Sequence, residues 1–126
     1  MQFSFTNEQE EFRGILRRML GARSPTNEVR KLMETAAGYD RESWKKLNQE
    51  LGLTAVHIPE AYGGQGFGCV ELGIVLEEMG RVLLCAPYFS SVVLGATAIL
   101  NGGTDAQKRK LLPPIAAGDT TAALAF

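Results

Sequence analysis

Thr6-Asn7-Glu8-Gln9-Glu10-Glu11-Phe12-Arg13-Gly14-Ile15-Leu16-Arg17-Arg18-Met19-Leu20-Gly21 sets the pattern from which the fold is read. Thr6 and Gln9 stand three apart, the spacing of a capping box. Phe12, Ile15, Leu16, Met19 and Leu20 then recur at helical period, so one face is apolar. Gly21 is placed to stop the helix. The same grammar returns along the chain. A second helix is expected after Ser24 or Thr26, with Pro25 in its first turn and an end near Gly38. A third follows Asp40, buries Trp44, Leu47 and Leu51, and stops at Gly52. Leu53 to Pro59 reads as extended, since Pro59 biases Ile58 away from helix. Val70 to Leu84 reads as a fourth, largely apolar helix. Pro87 opens a fifth, Tyr88 to Leu100. Thr104 and Gln107 form a second capping box for a sixth, which Pro113-Pro114 should interrupt near Leu112. Thr120 to Phe126 is a short β-like run. The expected architecture is all-α, a bundle of about six helices with a short terminal strand.

Composition sets outer limits. The chain has 126 residues, 45% apolar and 21% charged, with a net charge of -1. That is one globular domain by size, without the basic face of a nucleic-acid module. Cys69 and Cys85 are too few for a disulfide scaffold and wrongly spaced for zinc; both read as small core residues. The first residues lack the basic and apolar regions of a signal peptide. A charge-free stretch runs from Val82 to Thr104. Pro87 and the small polar residues after it argue against a membrane span and for a buried helix.

The local motifs are mostly negative findings. Ala61-Tyr62-Gly63-Gly64-Gln65-Gly66-Phe67-Gly68 is dense in glycine. Cys69 stands where a G-x-G-x-x-G motif counted from Gly64 needs its third glycine, and no strand precedes. A connector is expected. His57, the only histidine, lacks partners for a triad or metal site and reads as structural. Glu77 and Glu78 point about 100° apart on a helix and read as its wet side. Lys108-Arg109-Lys110 reads as a solvated face. The fifth helix mixes Phe89, Leu94 and Ile99 with Ser90, Ser91, Gly95, Ala96 and Ala98. That composition suits close helix packing or one wall of an apolar pocket.

Several of these pieces, in order, resemble the amino-terminal helical domain of the acyl-CoA dehydrogenase family. They are Phe5 to Gln9; Trp44-x-x-Leu47; Leu51-Gly52-Leu53; Ile58-Pro59-Glu60-x-x-Gly63-Gly64-x-Gly66; Glu77-Glu78-Met79-Gly80-Arg81; Gly103-Thr104-x-x-Gln107-Lys108; and Leu112-Pro113-x-x-Ala116-x-Gly118-Asp119. The Arg81 to Pro87 stretch is similar to bacterial members acting on bulky or sterol-derived thioesters, while fatty acyl and branched amino-acid-derived thioesters stay open. The resemblance implies residues 1–119 as the helical domain and 120–126 as the start of a β-domain. It implies an FAD enzyme that oxidises acyl-CoA to 2-enoyl-CoA; a cytoplasmic location is the expectation from composition. Its partners would be electron-transfer flavoprotein or an equivalent acceptor, and other subunits in a homo- or hetero-oligomer. Leu124 and Phe126 match strand positions that touch the flavin. Ala86, Pro87, Ser90 and Leu94 match the helix lining the acyl pocket. No residue matches the catalytic glutamate, so none is assigned, and the chain alone is expected to be inactive. The alternative is a structural or interaction subunit that pairs with a catalytic partner.

Overall fold

The computed structural model describes residues 3–125. Its helices are α1 (Asn7–Arg23), α2 (Thr26–Met33), α3 (Arg41–Leu51) and α4 (Cys69–Arg81), then a π-helical segment (Phe89–Ala96) continuous with α5 (Thr97–Gly102), and α6 (Asp105–Ala116). Short 3₁₀ turns lie at Leu53–Ala55 and Glu60–Tyr62. Among the described residues there is no strand. Nor is any helix there long and apolar enough to cross a membrane.

The capping signals are where the residue pattern puts them. Thr6 accepts from the Gln9 backbone and Gln9 returns the bond to Thr6. Thr104 and Gln107 do the same for α6. The Asp40 side chain accepts from Ser43 N–H at 2.7 Å, and Gly52 ends α3 in the left-handed region. The bonds from the start of α3 hold the Asp40 carboxyl below its ordinary range.

Several elements depart from expectation. α1 runs past Gly21 to Arg23. α2 starts after Pro25 without a side-chain cap and ends at Met33, well before Gly38. α4 ends at Arg81 because Leu83 adopts φ 51°. Leu84 N–H then reaches Met79 C=O (3.0 Å) and Leu83 N–H reaches Gly80 C=O (3.1 Å), the bond pair of a Schellman stop with leucine in the usual glycine position. Residues 53–59 are not extended. Leu53, Thr54, Ala55, Val56 and Ile58 are all buried in tight turns. α6 continues through Pro113 and Pro114. Proline's fixed φ is compatible with a helix, and the carbonyls deprived of a donor belong to exposed Arg109 and Lys110. Leu112, Ile115 and Ala116, all buried, hold that turn in place.

Two apolar clusters make the core. The larger joins Leu16 and Leu20 of α1, Trp44 and Leu47 of α3, Ile74, Val75 and Met79 of α4, and Tyr88 and Val92. The smaller joins Ala55, Ile58, Ala96, Leu112, Ile115 and Ala116, with Ala122 packed on it. Trp44 links the two ends: its indole N–H donates to Gly118 C=O at 3.0 Å, and its ring meets Tyr88 edge-on at 6.5 Å.

Candidate functional site

The glycine loop turns its donors inward. Gln65, Gly66 and Phe67 N–H groups reach the carbonyls of Ala55 (2.8 Å), Ile58 (2.9 Å) and Val56 (2.9 Å). Gly64 packs so closely that a Cβ would lie 1.8 Å from the Ile58 oxygen. These amides serve the fold and cannot cradle a phosphate. The expected connector is what is found.

The exposed apolar surface lies elsewhere. Where α4 ends, Leu76, Met79, Leu83, Leu84, Tyr88 and Phe89 line an open groove of about 230 Å³, with Ala86 on its wall. Leu83 is 70% exposed and Phe89 57%, so two large apolar side chains stand on its rim without cover. Leu83 also carries backbone strain of about 1–2 kcal/mol for a left-handed non-glycine residue. Pro87, Ser90 and Leu94 are half-buried. The Ser90 hydroxyl donates back to Pro87 C=O at 3.2 Å. Such a bond competes with the regular helix ladder, and the π-helical winding begins beside it. π-helical turns are rare and concentrate at functional sites.

The tail beyond α6 returns to this helix. The Ser91 hydroxyl accepts from Ala122 N–H at 2.8 Å and donates to Ala122 C=O at 3.1 Å. Gly95 faces Ala122 so closely that a Cβ would come within 2.7 Å of its methyl carbon. Beyond that anchor, Ala123, Leu124 and Ala125 make no hydrogen bond to any described residue, and Leu124 is 43% exposed. The expected strand is therefore a coil over its described residues. A strand needs an edge to pair with, and among the described residues the tail finds only Pro114 C=O, for Thr120 N–H, and the Ser91 hydroxyl, for Ala122. Phe126 lies outside the described residues.

Residues 6–119 match the family model described as acyl-CoA dehydrogenase, N-terminal domain. The chain belongs to the acyl-CoA dehydrogenase family. It is 34% identical to acyl-CoA dehydrogenase FadE27 of Mycobacterium tuberculosis over 104 residues, 82% of this chain and 28% of that protein. It superposes on a chain of the ChsE4-ChsE5 complex from Mycobacterium tuberculosis with a TM-score of 0.86 and 30% identity, covering 98% of this chain and 34% of that one. A variant of the Tcur3481-Tcur3483 steroid ACAD gives a TM-score of 0.82 and 32% identity over 92% of this chain and 31% of that one. The chain thus spans about a third of the length of these relatives.

Within this acyl-CoA dehydrogenase domain, Ala86 lies in the groove and the half-buried Pro87, Ser90 and Leu94 follow it on the same stretch of chain. Leu124 sits on the tail that Ser91 anchors. The backbone groups of Ala123, Leu124 and Ala125 are unpaired among the described residues. Several other side chains are not where the spacing puts them. Glu78 is fully buried rather than on a wet face. Arg17 grips it from α1 with two bonds (2.7 and 3.1 Å), Arg81 adds a third (2.9 Å), and Arg13 stands at 3.6 Å. Arg17 above all, with Arg81, lowers its pKa to about 2 against the cost of burial. So strongly held a carboxylate is no general base. Glu77 is the exposed member and pairs with Arg13 at 2.8 Å. Cys69 is exposed and Cys85 half-buried, so neither is a core residue. His57 is structural but incompletely satisfied. Its Nε2 lies 3.2 Å from Thr97 Oγ1, while buried Nδ1 has no partner among the described residues. Burial lowers its pKa.

Proposed function

We propose that this domain is the amino-terminal part of a flavin-dependent acyl-CoA dehydrogenase that oxidises an acyl-CoA to the 2-enoyl-CoA. The observation that carries the reading is the uncovered apolar groove beside Ala86, found in a chain of this family. Ala86, Pro87, Ser90 and Leu94 shape the space for the acyl group, and Leu83 and Phe89 cover part of it when it is filled. FAD, when bound, supplies the hydride acceptor, and Leu124 and Phe126 meet it through the backbone. The base is not among these residues: Glu78 is neutralised by its arginines, and the domain alone is inactive. The substrate is a bulky, sterol-derived thioester. Similarity to a protein named steroid ACAD supports this. The enzyme acts in the cytoplasm and hands its electrons to an electron-transfer flavoprotein or an equivalent acceptor.

A second reading is a non-catalytic subunit in a hetero-oligomer. It is favoured by one observation: two of the similar structures, ChsE4-ChsE5 and Tcur3481-Tcur3483, are named as protein pairs.

The test uses the protein encoded by the whole reading frame, purified with its flavin. Anaerobic titration with acyl-CoAs of increasing bulk should bleach the flavin's visible band, most effectively with the sterol-derived thioester. The 126-residue chain should bleach nothing. Turnover by the short chain sinks the inactive-domain reading. A flavin-loaded protein that no acyl-CoA reduces favours the second reading.

A further inference from the structure

We propose that Ser91 is a positioning residue for the cofactor, acting through Ala122; this rests on the reading that Leu124 meets the flavin. Ser91 is fully buried on the π-helical segment. Its single hydroxyl both accepts from and donates to the same residue of the tail, at 2.8 and 3.1 Å. A hydroxyl can do both because it carries one proton and two lone pairs. In an antiparallel sheet, two facing residues of a hydrogen-bonded pair exchange both of these bonds. Ser91 therefore does with a side chain what a neighbouring strand does with its backbone, and fixes the orientation of one peptide plane on each side of Ala122.

Gly95 makes the arrangement selective. It stands one residue short of a π turn beyond Ser91, and the Ala122 methyl fills the space a Cβ would need. Hydroxyl and glycine together fix Ala122 from two directions, by bonding and by contact. The chain has no such hold on Ala123, Leu124 or Ala125 among the described residues. Leu124 lies two residues beyond the fixed point, so Ala122 limits where its backbone groups can reach, and they are unpaired among the described residues. The helix that lines the acyl groove thus also orients the segment that meets the cofactor. One rigid element references both ligands.

The test compares the flavin-loaded protein with Ser91→Ala and Ser91→Thr. Loss of both bonds in Ser91→Ala should raise the flavin dissociation constant about tenfold and alter the visible circular dichroism of the bound flavin. The KM for acyl-CoA should stay within about twofold, and Ser91→Thr should restore the flavin spectrum. A merely structural serine would lower thermal stability and leave flavin affinity and dichroism unchanged; that result overturns the inference. A wild-type protein that binds no flavin overturns the function reading and this inference together. Hydrogen exchange on the unmodified chain tests the anchor without any variant. The Ala122 amide should be protected while those of Ala123, Leu124 and Ala125 exchange freely. Equal exchange at all four overturns the proposal.

Discussion

The α1–α4 seam and the α5–α6 end bury polar groups in opposite ways. At the seam, a carboxylate with no exposure is surrounded by arginines from two helices. Gln9 extends the row by donating to Glu71 at 2.7 Å. Every charge has a partner, and two of the arginines still reach water. At the other end the polar contacts are neutral and few: Ser91 to Ala122, Thr54 to Ala116 C=O at 2.7 Å, and His57 to Thr97. Close backbone approach does there what charge does at the seam. The seam is built to be held together. The far end is held by fit, with Ala122 set against Gly95 and the Ser91 hydroxyl.

The largest way to break this contrast is Glu78→Ala. Removing one partner of a buried ionic cluster should cost about 3 kcal/mol, read from the denaturant midpoint. A loss under about 1 kcal/mol would mean that the arginines relax into water and the seam does not depend on its carboxylate. Gly95→Ala should be next, at about 1–3 kcal/mol by overpacking, with the Ala122 amide losing hydrogen-exchange protection. Leu83→Gly should act in the opposite direction. Relief of the left-handed strain should stabilise the fold by about 1 kcal/mol while removing an apolar side chain from the groove rim.

Acidity separates the two ends most finely. Glu78 titrates near 4.5 when unfolded and near 2 when folded. Its contribution is complete above the unfolded value and is lost as pH falls from there towards 2. His57 acts earlier. Its folded pKa is depressed below 6.5, so the unfolded chain takes up the proton first. Stability should therefore decline as pH falls below 6.5 towards the folded value, then level off. Unfolding titrations on His57→Gln should remove the upper step and leave the lower one intact.

Helix starts are legible because they are local. Thr6 with Gln9, Thr104 with Gln107, and Asp40 carry their reasons within four residues. Glu78 is not legible in that way. Its α1 partner Arg17 is 61 residues distant, and its neighbour Glu77 masks it as half of a solvated pair. The π-helical segment leaves no mark in a charge-free stretch, where no polar face reveals the period. Pro113 and Pro114 mislead for the converse reason: the local rule against proline is real, but burial of Leu112, Ile115 and Ala116 outweighs it. The stretch from Ala86 to Leu94, proposed to line the acyl group, is pointed to by family resemblance, and of its four candidate residues Ala86 lies in the groove. The hold on the tail could not be read that way, because Ser91 and Ala122 meet only when α6 folds back.

Trp44 gives this last relation an optical signature. It is the only tryptophan in the chain. It is 5% exposed and is tied by its indole N–H to Gly118, just ahead of the tail. The molecule thus carries an intrinsic fluorophore at the joint between α3 and the end of α6. Detachment of that end would release the indole bond, admit water to the ring and shift its emission to the red, while an intact α1–α4 seam would leave the helical dichroism in place. Emission and dichroism recorded on one sample would therefore resolve the order in which the two halves of the domain come apart.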